Sequence, residues 1–467
     1  MHPVDYGIVG VYLALLLWLG LASRLRPNSS AGELIIGGRM LTLPAFVASL
    51  VSTWYGGILG VGEYSFQYGL SNWLVFGVPY YLAAFLFAVF LARRARESEV
   101  LTIPERLAAA YDEKTAAAGS IIIYLMTVPA AYILMLGVLG EYLFGWPLWV
   151  GVVIGTIFST GYIFLGGFQS VVRTDLMQFV LMFLGFAILL IFVVVKYGGY
   201  EFIQQSVPAD LLTWHGGNSG WYVAVWYVIA LATLIEPTFH QRCYAARDSK
   251  TARNGILISI LLWMFFDFMT TSCGLYARAI LPNLQDPVAA YPALANEVLP
   301  VGVLGLFALS LLATVMSTVD SYSHVAATTF GNDIMPRLLK SAANRVTRWS
   351  RIGLVVSAGL AIVLALFFRS VVDIWHAFGS IGTPALLAPV FTAFVGRKRL
   401  PAGAALLSIV LSGGLSAIWY LSQNWTADGN YWLALEPYCP GGIEPIFPGL
   451  ILSLLLFFTL AKAKPQE

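Results

Sequence analysis

Thirteen apolar stretches, most of them long enough to cross a lipid bilayer, dominate this chain of 467 residues. A membrane-spanning helix needs about 20 apolar residues, and backbone exposed to lipid must satisfy its hydrogen bonds within a helix or a closed barrel. Only 11% of the residues are charged and 59% are hydrophobic, with a mean hydropathy of +0.78, so a soluble globular protein is excluded. The sequence predicts an all-α polytopic membrane protein with about thirteen transmembrane helices, over residues 4–23, 41–67, 72–93, 117–144, 147–167, 170–197, 221–240, 254–281, 300–330, 350–368, 371–395, 402–422 and 444–462.

The distribution of basic residues predicts how these helices are oriented. The first apolar stretch is followed by Arg24 and Arg26 and preceded by no Lys or Arg, which is the opposite of the order in a secretory signal. With the N-terminus outside, all of the 26 Lys and Arg residues except Lys196, Arg278 and Arg369 fall on the cytoplasmic side or at its edge. This pattern follows the positive-inside rule. We therefore expect an integral protein of the plasma (inner) membrane, with the N-terminus outside and the C-terminus in the cytoplasm.

The sequence lacks the features expected of nucleic-acid-binding proteins, metal-binding proteins and enzymes. The net charge of +2 is dispersed along loops, so we expect no nucleic-acid partner. Cys243, Cys273 and Cys439 lack metal-type spacing, and the five histidines are scattered. There is no Gly-x-Ser-x-Gly elbow and no paired cysteine, so we expect no enzymatic activity. We also expect no obligate protein partner.

A stripe of oxygen-bearing side chains marks the ninth apolar stretch. Thr314, Ser317, Thr318 and Ser321 stand at i, i+3, i+4 and i+7 and share one helix face, with Asp320 at its edge. A carboxyl group within a spanning helix costs about 2.5 to 3.5 kcal/mol, and this helix carries no Lys or Arg to neutralise it. One interpretation is that the stripe binds a monovalent cation. The alternative is that the hydroxyls bond back to carbonyls of their own helix and hold neighbouring helices together.

Two other stretches carry residues that interrupt a helix. The second contains polar residues and glycines in its middle, and the seventh contains a polar pair and a proline late in its length. Interruptions at matching places predict two inverted repeats of five helices, with a solute held at the midplane between them. The alternative is two packing devices, a close crossing and a proline kink. The residues are Ser52, Thr53, Gly56, Gly57, Gly60 and Gly62 in the second stretch and Thr233, Glu236 and Pro237 in the seventh.

A longer motif at the cytoplasmic end of the sixth stretch resembles the signature of the sodium:solute symporter family. It is a Gly-Gly turn followed by a Thr-Asp pair and a Gln three residues after the Asp. Other stretches resemble the same family, and together the resemblance covers roughly residues 33–395. The matching residues are Gly166, Gly167, Thr174, Asp175 and Gln178, with Gly37, Gly38 and Arg39, with Gln241, Arg242, Ala245, Ala246, Arg247, Ala252, Arg253 and Gly255, and with Met316 through Ser321 and Asp333.

This resemblance implies the leucine-transporter fold. That fold has ten core helices in a 5+5 inverted repeat, here with one extra N-terminal and two extra C-terminal helices. The expected divisions are an N-terminal helix and loop at 1–40, a first repeat at 41–200, a second repeat at 201–397, and two C-terminal helices with a tail at 398–467.

The resemblance also implies Na+ as the coupling ion and a Na+ site between the second and ninth stretches. Carried over to this sequence, the ligands are the hydroxyls of Ser317 and Thr318 and the carbonyls of Ser52, Tyr55 and Thr314. Some members have a second cation site toward the cytoplasm, whose matching positions here are Asp175, Ser317, Asp320 and Ser321. Its occupancy is a hypothesis. The alternative for Asp175 is a cytoplasmic cap that pairs with Arg173 or a neighbouring loop.

By the same fold logic, the solute should lie beside the interrupted segments, within aromatic walls that carry a few polar groups. Any one of these aromatics could instead belong to the core, and His376 could be an ordinary contact between helices. The candidate residues are Trp54, Tyr55, Leu59, Tyr80, Tyr81, Tyr132, Met135, Tyr227, Thr233, Glu236, His376, Ser380 and Thr383.

The charges assigned to the membrane interior favour one class of solute. The interior holds Glu63, Asp175, Glu236, Asp267 and Asp320 but essentially no Lys or Arg. We therefore expect Na+-coupled symport, by alternating access, of a small polar organic solute that is amino acid-like or amine-bearing. The alternatives are a sugar, polyol or carboxylate as the solute, a proton-coupled carrier of the same fold that uses Asp175 and Asp320, and a non-transporting membrane sensor.

Overall fold

The computed structural model of the chain describes residues 1–23, 29–368, 371–396, 398–425 and 443–463, and it is almost entirely helical. Two short strands, β1 (Lys398–Arg399) and β2 (Lys462–Ala463), pair antiparallel. Four residues named in the sequence analysis lie outside the described residues: Arg24, Arg26, Arg369 and Cys439. The helices are α1 (Pro3–Ala22), α2 (Ala31–Ile36), α3 (Leu43–Trp54), α4 (Ile58–Tyr68), α5 (Val78–Phe87), α6 (Arg93–Glu97), α7 (Ile103–Ala110), α8 (Glu113–Met126), α9 (Ala130–Phe144), α10 (Leu148–Tyr197), α11 (Tyr200–Ser206), α12 (Gly220–Ile229), α13 (Pro237–Ala245), α14 (Ser249–Ile280), α15 (Ala290–Val298), α16 (Val303–Thr328), α17 (Met335–Leu338), α18 (Val346–Phe368), α19 (Val371–Phe394), α20 (Ala402–Leu407), α21 (Gly413–Trp425) and α22 (Ile446–Leu460).

Short 3-10 and π-helical segments join several of these helices into longer rods. Eleven of the resulting helices are long and apolar enough to cross a membrane, and two shorter apolar helices, Leu148–Phe164 and Ile446–Leu460, lie where the sequence predicts two further spans. The polytopic all-α fold is thus confirmed, while the count of thirteen spans stays a prediction. The joining segments are Gly37–Arg39, Tyr55–Gly57, Trp73–Gly77, Ala88–Ala92, Ala209–Leu212, Ala230–Ile235, Pro287–Ala289, Thr329–Ile334, Lys340–Arg345 and Ser408–Ser412.

The second predicted span is interrupted in its middle. The 3-10 turn Tyr55–Gly57 separates α3 from α4, at the two glycines that the sequence marks. Glycine loosens a helix because it has no side chain to restrict its backbone, and it allows close approach of a neighbour. The interruption contacts α16.

The seventh predicted span is interrupted in a different way. Residues Ala230–Ile235 form a 3-10 segment after α12, and Glu236 then has an extended backbone with ψ of 115°. Pro237 begins α13 at the first helical position, where its missing N–H leaves no bond unmade. The proline therefore starts a new half-helix instead of kinking a continuous one.

The fifth and sixth predicted spans form one long element with a sharp break inside it. Gly167 in α10 has φ of 59° and ψ of −155°, a backbone conformation that favours glycine. The chain changes direction there, between the two predicted spans. The second half of α10 then carries Asp175 to the protein interior.

The helix α16 lies at the centre of the packing. It contacts α10, α18, α1 and α9, and it also contacts the interruption at Tyr55–Gly57. Most of its residues are buried, including the whole run from Phe307 to Ser321. The oxygen stripe of the ninth predicted span therefore faces protein and not lipid.

Candidate functional site

The hydroxyl stripe of α16 meets the interrupted helix α3–α4. The Thr318 hydroxyl donates to the backbone carbonyl of Thr53 at 2.6 Å, and the Ser317 hydroxyl lies 2.9 Å from that of Ser52. A Cβ atom added to Gly56 would lie 2.1 Å from the Thr318 hydroxyl oxygen. Glycine at position 56 therefore allows the two elements to touch.

A buried carboxylate adjoins this meeting point. The Ser317 hydroxyl donates to Asp175 Oδ1 at 2.6 Å, and the Ser49 hydroxyl donates to Asp175 Oδ2 at 2.5 Å. Arg173, the partner that the capping alternative offered to Asp175, instead donates to the Ser23 hydroxyl at 3.0 Å. Hydroxyl, carbonyl and carboxylate oxygens from three helices are thus collected in one region, and such hard oxygen donors suit a cation of the Na+ type.

One hydroxyl of the stripe, that of Thr314, behaves as the alternative interpretation predicts and bonds back to its own helix. The Thr314 hydroxyl bonds back to the carbonyl of Ser310 at 2.7 Å. The predicted ligand at this position is the carbonyl of Thr314, so its hydroxyl remains available for the bond within the helix. Thr318 contacts the carbonyl of Thr53. The predicted carbonyl ligands Ser52 and Tyr55 lie one residue before and two residues after it. The full ligand set stays a prediction.

The guanidinium of Arg242 corrects the expectation that the interior lacks basic residues. Arg242 lies on α13, beyond the end of the predicted span 221–240, and is fully buried. Its Nη2 atom lies 3.5 Å from Asp175 Oδ2, and it donates to the Ser321 hydroxyl at 2.5 Å and to the Thr53 hydroxyl at 3.0 Å. The positive charge is therefore held among the groups proposed to bind cations.

The residues of the predicted second cation site are divided between two sets of contacts. Asp175 contacts Ser317, and Arg242 joins Asp175 to Ser321, whereas Asp320 has other partners. Asp320 is buried and accepts hydrogen bonds from the hydroxyl of Tyr162 and, at 3.5 Å, from Thr174. Within the described part of the chain, the other Asp320 oxygen has no hydrogen-bond partner.

A cavity of about 190 Å³ lies beside both interruptions. Seven of the thirteen residues predicted to contact the solute line it: Trp54, Tyr55, Tyr80, Tyr132, Thr233, Glu236 and His376. The other lining residues are Gly57, Val61, Phe76, Met126, Val128, Ala131, Trp226, Ile229, Ala232, Asp267, Tyr322, Ile374, Trp375, Phe378 and Gly379.

The remaining predicted solute contacts lie elsewhere. Leu59 and Met135 are fully buried in the apolar core, and Tyr227 lines a separate surface pocket. Tyr81 donates to Asp267, so it supports a lining residue without lining the cavity itself. Ser380 and Thr383 are buried outside the cavity lining, and within the described residues their hydroxyls have no hydrogen-bond partner. Residues at adjacent helix positions point about 100° apart, which explains why Tyr80 lines the cavity and Tyr81 does not.

Several lining residues were not predicted from the sequence. Tyr322 follows Thr318 by four residues and so continues the face of the oxygen stripe, a signal that was available. Trp375 adjoins the predicted His376, and Asp267 was recognised as an intramembrane acid without being placed. Trp226 and Phe76 carry no local signal, because their burial beside the cavity follows from tertiary packing.

The polar groups of the cavity are few. Glu236 accepts hydrogen bonds from the backbone N–H and the hydroxyl of Thr238. Among the described residues, the hydroxyl of Thr233 and the indole N–H of Trp375 are buried with no hydrogen-bond partner. Groups of this kind are expensive to leave unpaired and are suited to contact a polar ligand.

His376 makes a contact between segments and also lines the cavity, so its predicted contact with the solute stays a prediction. Its Nε2 atom lies 2.9 Å from the carboxylate of Glu444, so the contact joins α19 to the segment just before α22, and the side chain also lines the cavity. The described lining thus presents two carboxylates, Glu236 and Asp267, and no Lys or Arg.

Comparison with known proteins identifies the family. The family model described as "Sodium:solute symporter family" matches residues 34–411. The chain belongs to the sodium:solute symporter family. Na+ is accordingly the coupling ion of this integral membrane symporter, and its partners are a small-molecule solute and the lipid bilayer.

Curated relatives of this symporter carry different solutes in their names. The sodium/pantothenate symporter of Escherichia coli (strain K12) is 26% identical over 446 residues, covering 91% of this chain and 89% of that protein. Sodium/glucose cotransporter 4 of Danio rerio is 25% identical and the sodium/myo-inositol cotransporter of Homo sapiens 24% identical, each over 74% of this chain. The chain spans 60% and 56% of the lengths of these two relatives.

Solved structures show the fold of this symporter. A substrate-bound, outward-open Na+-coupled sialic acid symporter matches with a TM-score of 0.78 and 20% identity, over 100% of both chains. Mhp1, a nucleobase-cation-symport-1 family transporter, matches with a TM-score of 0.55 and 11% identity, over 93% of this chain and 96% of that one. These likenesses confirm the predicted leucine-transporter-like fold, while the layout of the extra helices stays a prediction.

Proposed function

We propose that this symporter couples Na+ to the uptake of a small amine-bearing or amino acid-like solute, bound in the cavity between the two interruptions. The observation that carries the proposal is the lining of that cavity. Its described residues combine aromatic rings with the carboxylates of Glu236 and Asp267, and they include no Lys or Arg. Aromatic faces attract organic cations, and a buried carboxylate favours a partner that donates hydrogen bonds or carries positive charge.

A neutral sugar or polyol is the second candidate, and separate observations favour it. Two of the relatives are named for glucose and myo-inositol, which are neutral and rich in hydroxyl groups, while a third is named for pantothenate, a carboxylate that also carries hydroxyls. The unpartnered hydroxyl of Thr233 and indole N–H of Trp375 would contact such groups without any charge. A small solute of either class suits a cavity with a volume of about 190 Å³.

The coupling rests on the contact between α16 and the interruption at Tyr55–Gly57. Na+ bound to the hydroxyls of Ser317 and Thr318 and to carbonyls of the interrupted helix would favour the outward-open arrangement and complete the solute site. Release of the ion into a cytoplasm low in Na+ would loosen the contact and open the inner side. An ion can drive such a change only through different affinities for the two states.

Proton coupling through Asp175 and Asp320 is the rival mechanism. The unpartnered oxygen of the buried Asp320 favours it, because a carboxyl without a cation partner is a natural place for a proton. Uptake into proteoliposomes, with Na+ replaced by choline at two pH values, separates the mechanisms. Loss of uptake in choline at both pH values supports Na+ coupling, and uptake that follows the pH gradient in choline would refute it.

The solute class is tested by a thermal-shift screen of the purified protein, with and without Na+. We expect stabilisation by compounds that carry an amino group, and we expect Na+ to increase it. A set of stabilising compounds made up only of dianions would overturn the proposed class. A set of neutral polyols would select the second candidate.

The proposal includes the arrangement of the protein in its membrane. The N-terminus lies outside and the C-terminus in the cytoplasm of the plasma (inner) membrane, and the chain acts without an obligate protein partner and without enzymatic chemistry. The positive-inside distribution of Lys and Arg supports this orientation. Labelling of single cysteines introduced at Lys196 and at Arg253 tests it. Reaction with an impermeant reagent applied outside is expected only at position 196.

A further inference from the structure

A groove with a volume of about 930 Å³ lies along the start of α18 and shares no lining residue with the solute cavity. It is bounded by α18, by Phe164 of α10 and by the start of α2 at Ala31. Its lining is basic at one end and apolar at the other. The lining residues are Ser29, Ala31, Phe164, Ala343, Asn344, Arg345, Val346, Thr347, Arg348, Arg351, Ile352, Val355 and Val356.

One end of the groove is basic. Arg345 and Arg348 are exposed, and among the described residues neither forms an ion pair with an acid. Arg351 donates to the carbonyl of Phe164 at 3.2 Å, and its guanidinium lies 5.2 Å from the centre of the Phe164 ring. The described lining contains no Asp or Glu. This end therefore presents three positive charges, one of them fixed in place.

The other end of the groove is apolar and exposed. Ile352, Val355 and Val356 have exposed fractions of 36%, 62% and 45%. Arg348, Ile352 and Val355 stand at i, i+4 and i+7, so one helix face passes from charged to apolar. The apolar run of α18 begins at Ile352, which places this change where the polar surface of the bilayer meets its hydrocarbon.

We propose that this groove binds one anionic phospholipid. Arg345 and Arg348 contact the phosphate and the rest of the anionic headgroup, and an acyl chain lies along Ile352, Val355 and Val356. Basic pockets at the membrane surface attract anionic lipids through charge. A zwitterionic headgroup is disfavoured because its ammonium group meets three arginines with no acid among the described lining residues.

The bound lipid would affect the transport core through the packing of α18. This helix packs closely against Thr329–Ile334, the π-helical segment that follows α16. A Cβ added to Gly353 would lie 2.6 Å from Cβ of Phe330, and one added to Gly331 would lie 2.2 Å from the Ser350 hydroxyl oxygen. A lipid that holds α18 in position is therefore expected to raise the thermal stability of the symporter.

Native mass spectrometry of the full chain released from detergent tests the proposal, with phosphatidylglycerol and phosphatidylcholine added in equal amounts. We expect one retained phosphatidylglycerol on the unmodified protein. Substitution of both Arg345→Gln and Arg348→Gln is expected to lower its affinity about thirtyfold, from the combined contribution of two surface arginines. The control pair Arg93→Gln and Arg253→Gln removes the same charge from exposed positions outside the groove and is expected to retain the lipid.

Three results would overturn the proposal. They are equal retention of phosphatidylglycerol by the two double variants, equal retention of both lipids by the unmodified protein, and full displacement of phosphatidylglycerol by inorganic phosphate, which would indicate a site for free phosphate. Thermal unfolding in lipid-free detergent serves as the folding check, since both arginines are exposed and their loss should leave the unfolding temperature unchanged. If that temperature falls, the single variant Arg348→Gln provides the same comparison.

Discussion

The Thr318 hydroxyl donates a hydrogen bond of 2.6 Å to the backbone carbonyl of Thr53 and so joins the middle of α16 to the last turn of α3. Carbonyls near a helix interruption are free to bind other groups because no N–H one turn further along reaches them. The same contact brings Ser317 to within hydrogen-bond distance of both Ser52 and Asp175. Oxygen atoms from α3, α10 and α16 therefore converge at one place.

Substitution of Gly56→Ala tests how closely these elements must approach. The added Cβ would lie 2.1 Å from the Thr318 hydroxyl oxygen, so α16 and the interruption must move apart. We expect loss of most Na+-stimulated uptake and a decrease of about 1 to 3 kcal/mol in unfolding free energy, the usual cost of overpacking. Gly359→Ala is the matched control, since no atom of the described residues lies within 4 Å of its added Cβ. Equal behaviour of the two variants in uptake and thermal unfolding would contradict the expectation.

The pair Arg242 and Asp175 is expected to be strongly coupled. Both side chains are fully buried, so Arg242→Gln leaves an uncompensated carboxylate in the interior. We expect this variant to lose about 3 to 5 kcal/mol of stability. The double variant with Asp175→Asn should recover much of that loss, because it removes the remaining charge. Thermal unfolding of both single variants and the double variant measures the coupling, and purely additive losses would show that the pair does not interact.

The indole N–H of Trp375 is expected to contact the solute. Trp375→Phe keeps an aromatic ring and removes only the donor, so we expect about tenfold weaker solute binding and unchanged Na+ binding in the absence of solute. Trp263→Phe is a matched control, because its indole N–H is also buried without a partner among the described residues but does not line the cavity. Binding measured by isothermal titration should separate the two variants, and equal effects on the solute would argue against the contact.

Asp320 distinguishes one bound cation from two. Arg242 already places a positive charge beside Asp175 and Ser321, so we expect a single coupled Na+ and a Hill coefficient near one. Asp320→Asn should leave that coefficient unchanged, since Tyr162 and Thr174 can still donate to the amide oxygen. Uptake measured over a range of Na+ concentrations gives the coefficient. A value near two in the unmodified protein that falls to one in the variant would indicate a second cation at Asp320.

Local patterns in the sequence were sufficient to predict the interruptions and the stripe on α16. Gly56, Gly57 and Pro237 act through their own backbone properties, and the spacing of Ser317 and Thr318 fixes their common face. These signals depend on neighbouring residues alone. The positions that they mark are therefore visible before any tertiary structure is known.

Contacts between distant segments could not be predicted in the same way. Arg242 follows the apolar run of its helix and was assigned to the cytoplasm, yet it is buried because Asp175 and four polar partners compensate its charge. Likewise, Tyr80 and Tyr81 are chemically identical neighbours, and only the packing of their helix decides which one faces the cavity. Burial of a charge or the direction of an aromatic ring is a property of the assembled fold.

Direct measurement of Na+ affinity, by isothermal titration of the purified protein without solute, is the most direct test of the Na+ site. We predict that Ser317→Ala and Thr318→Ala each weaken Na+ binding by about tenfold or more, since each removes one ligand oxygen. Among the described residues, the Ser310 hydroxyl bonds only to the carbonyl of Phe307 in its own helix, so the control variant Ser310→Ala should bind Na+ like the unmodified protein. Unchanged affinity in both Ser317→Ala and Thr318→Ala would contradict a Na+ site between α16 and the interrupted helix.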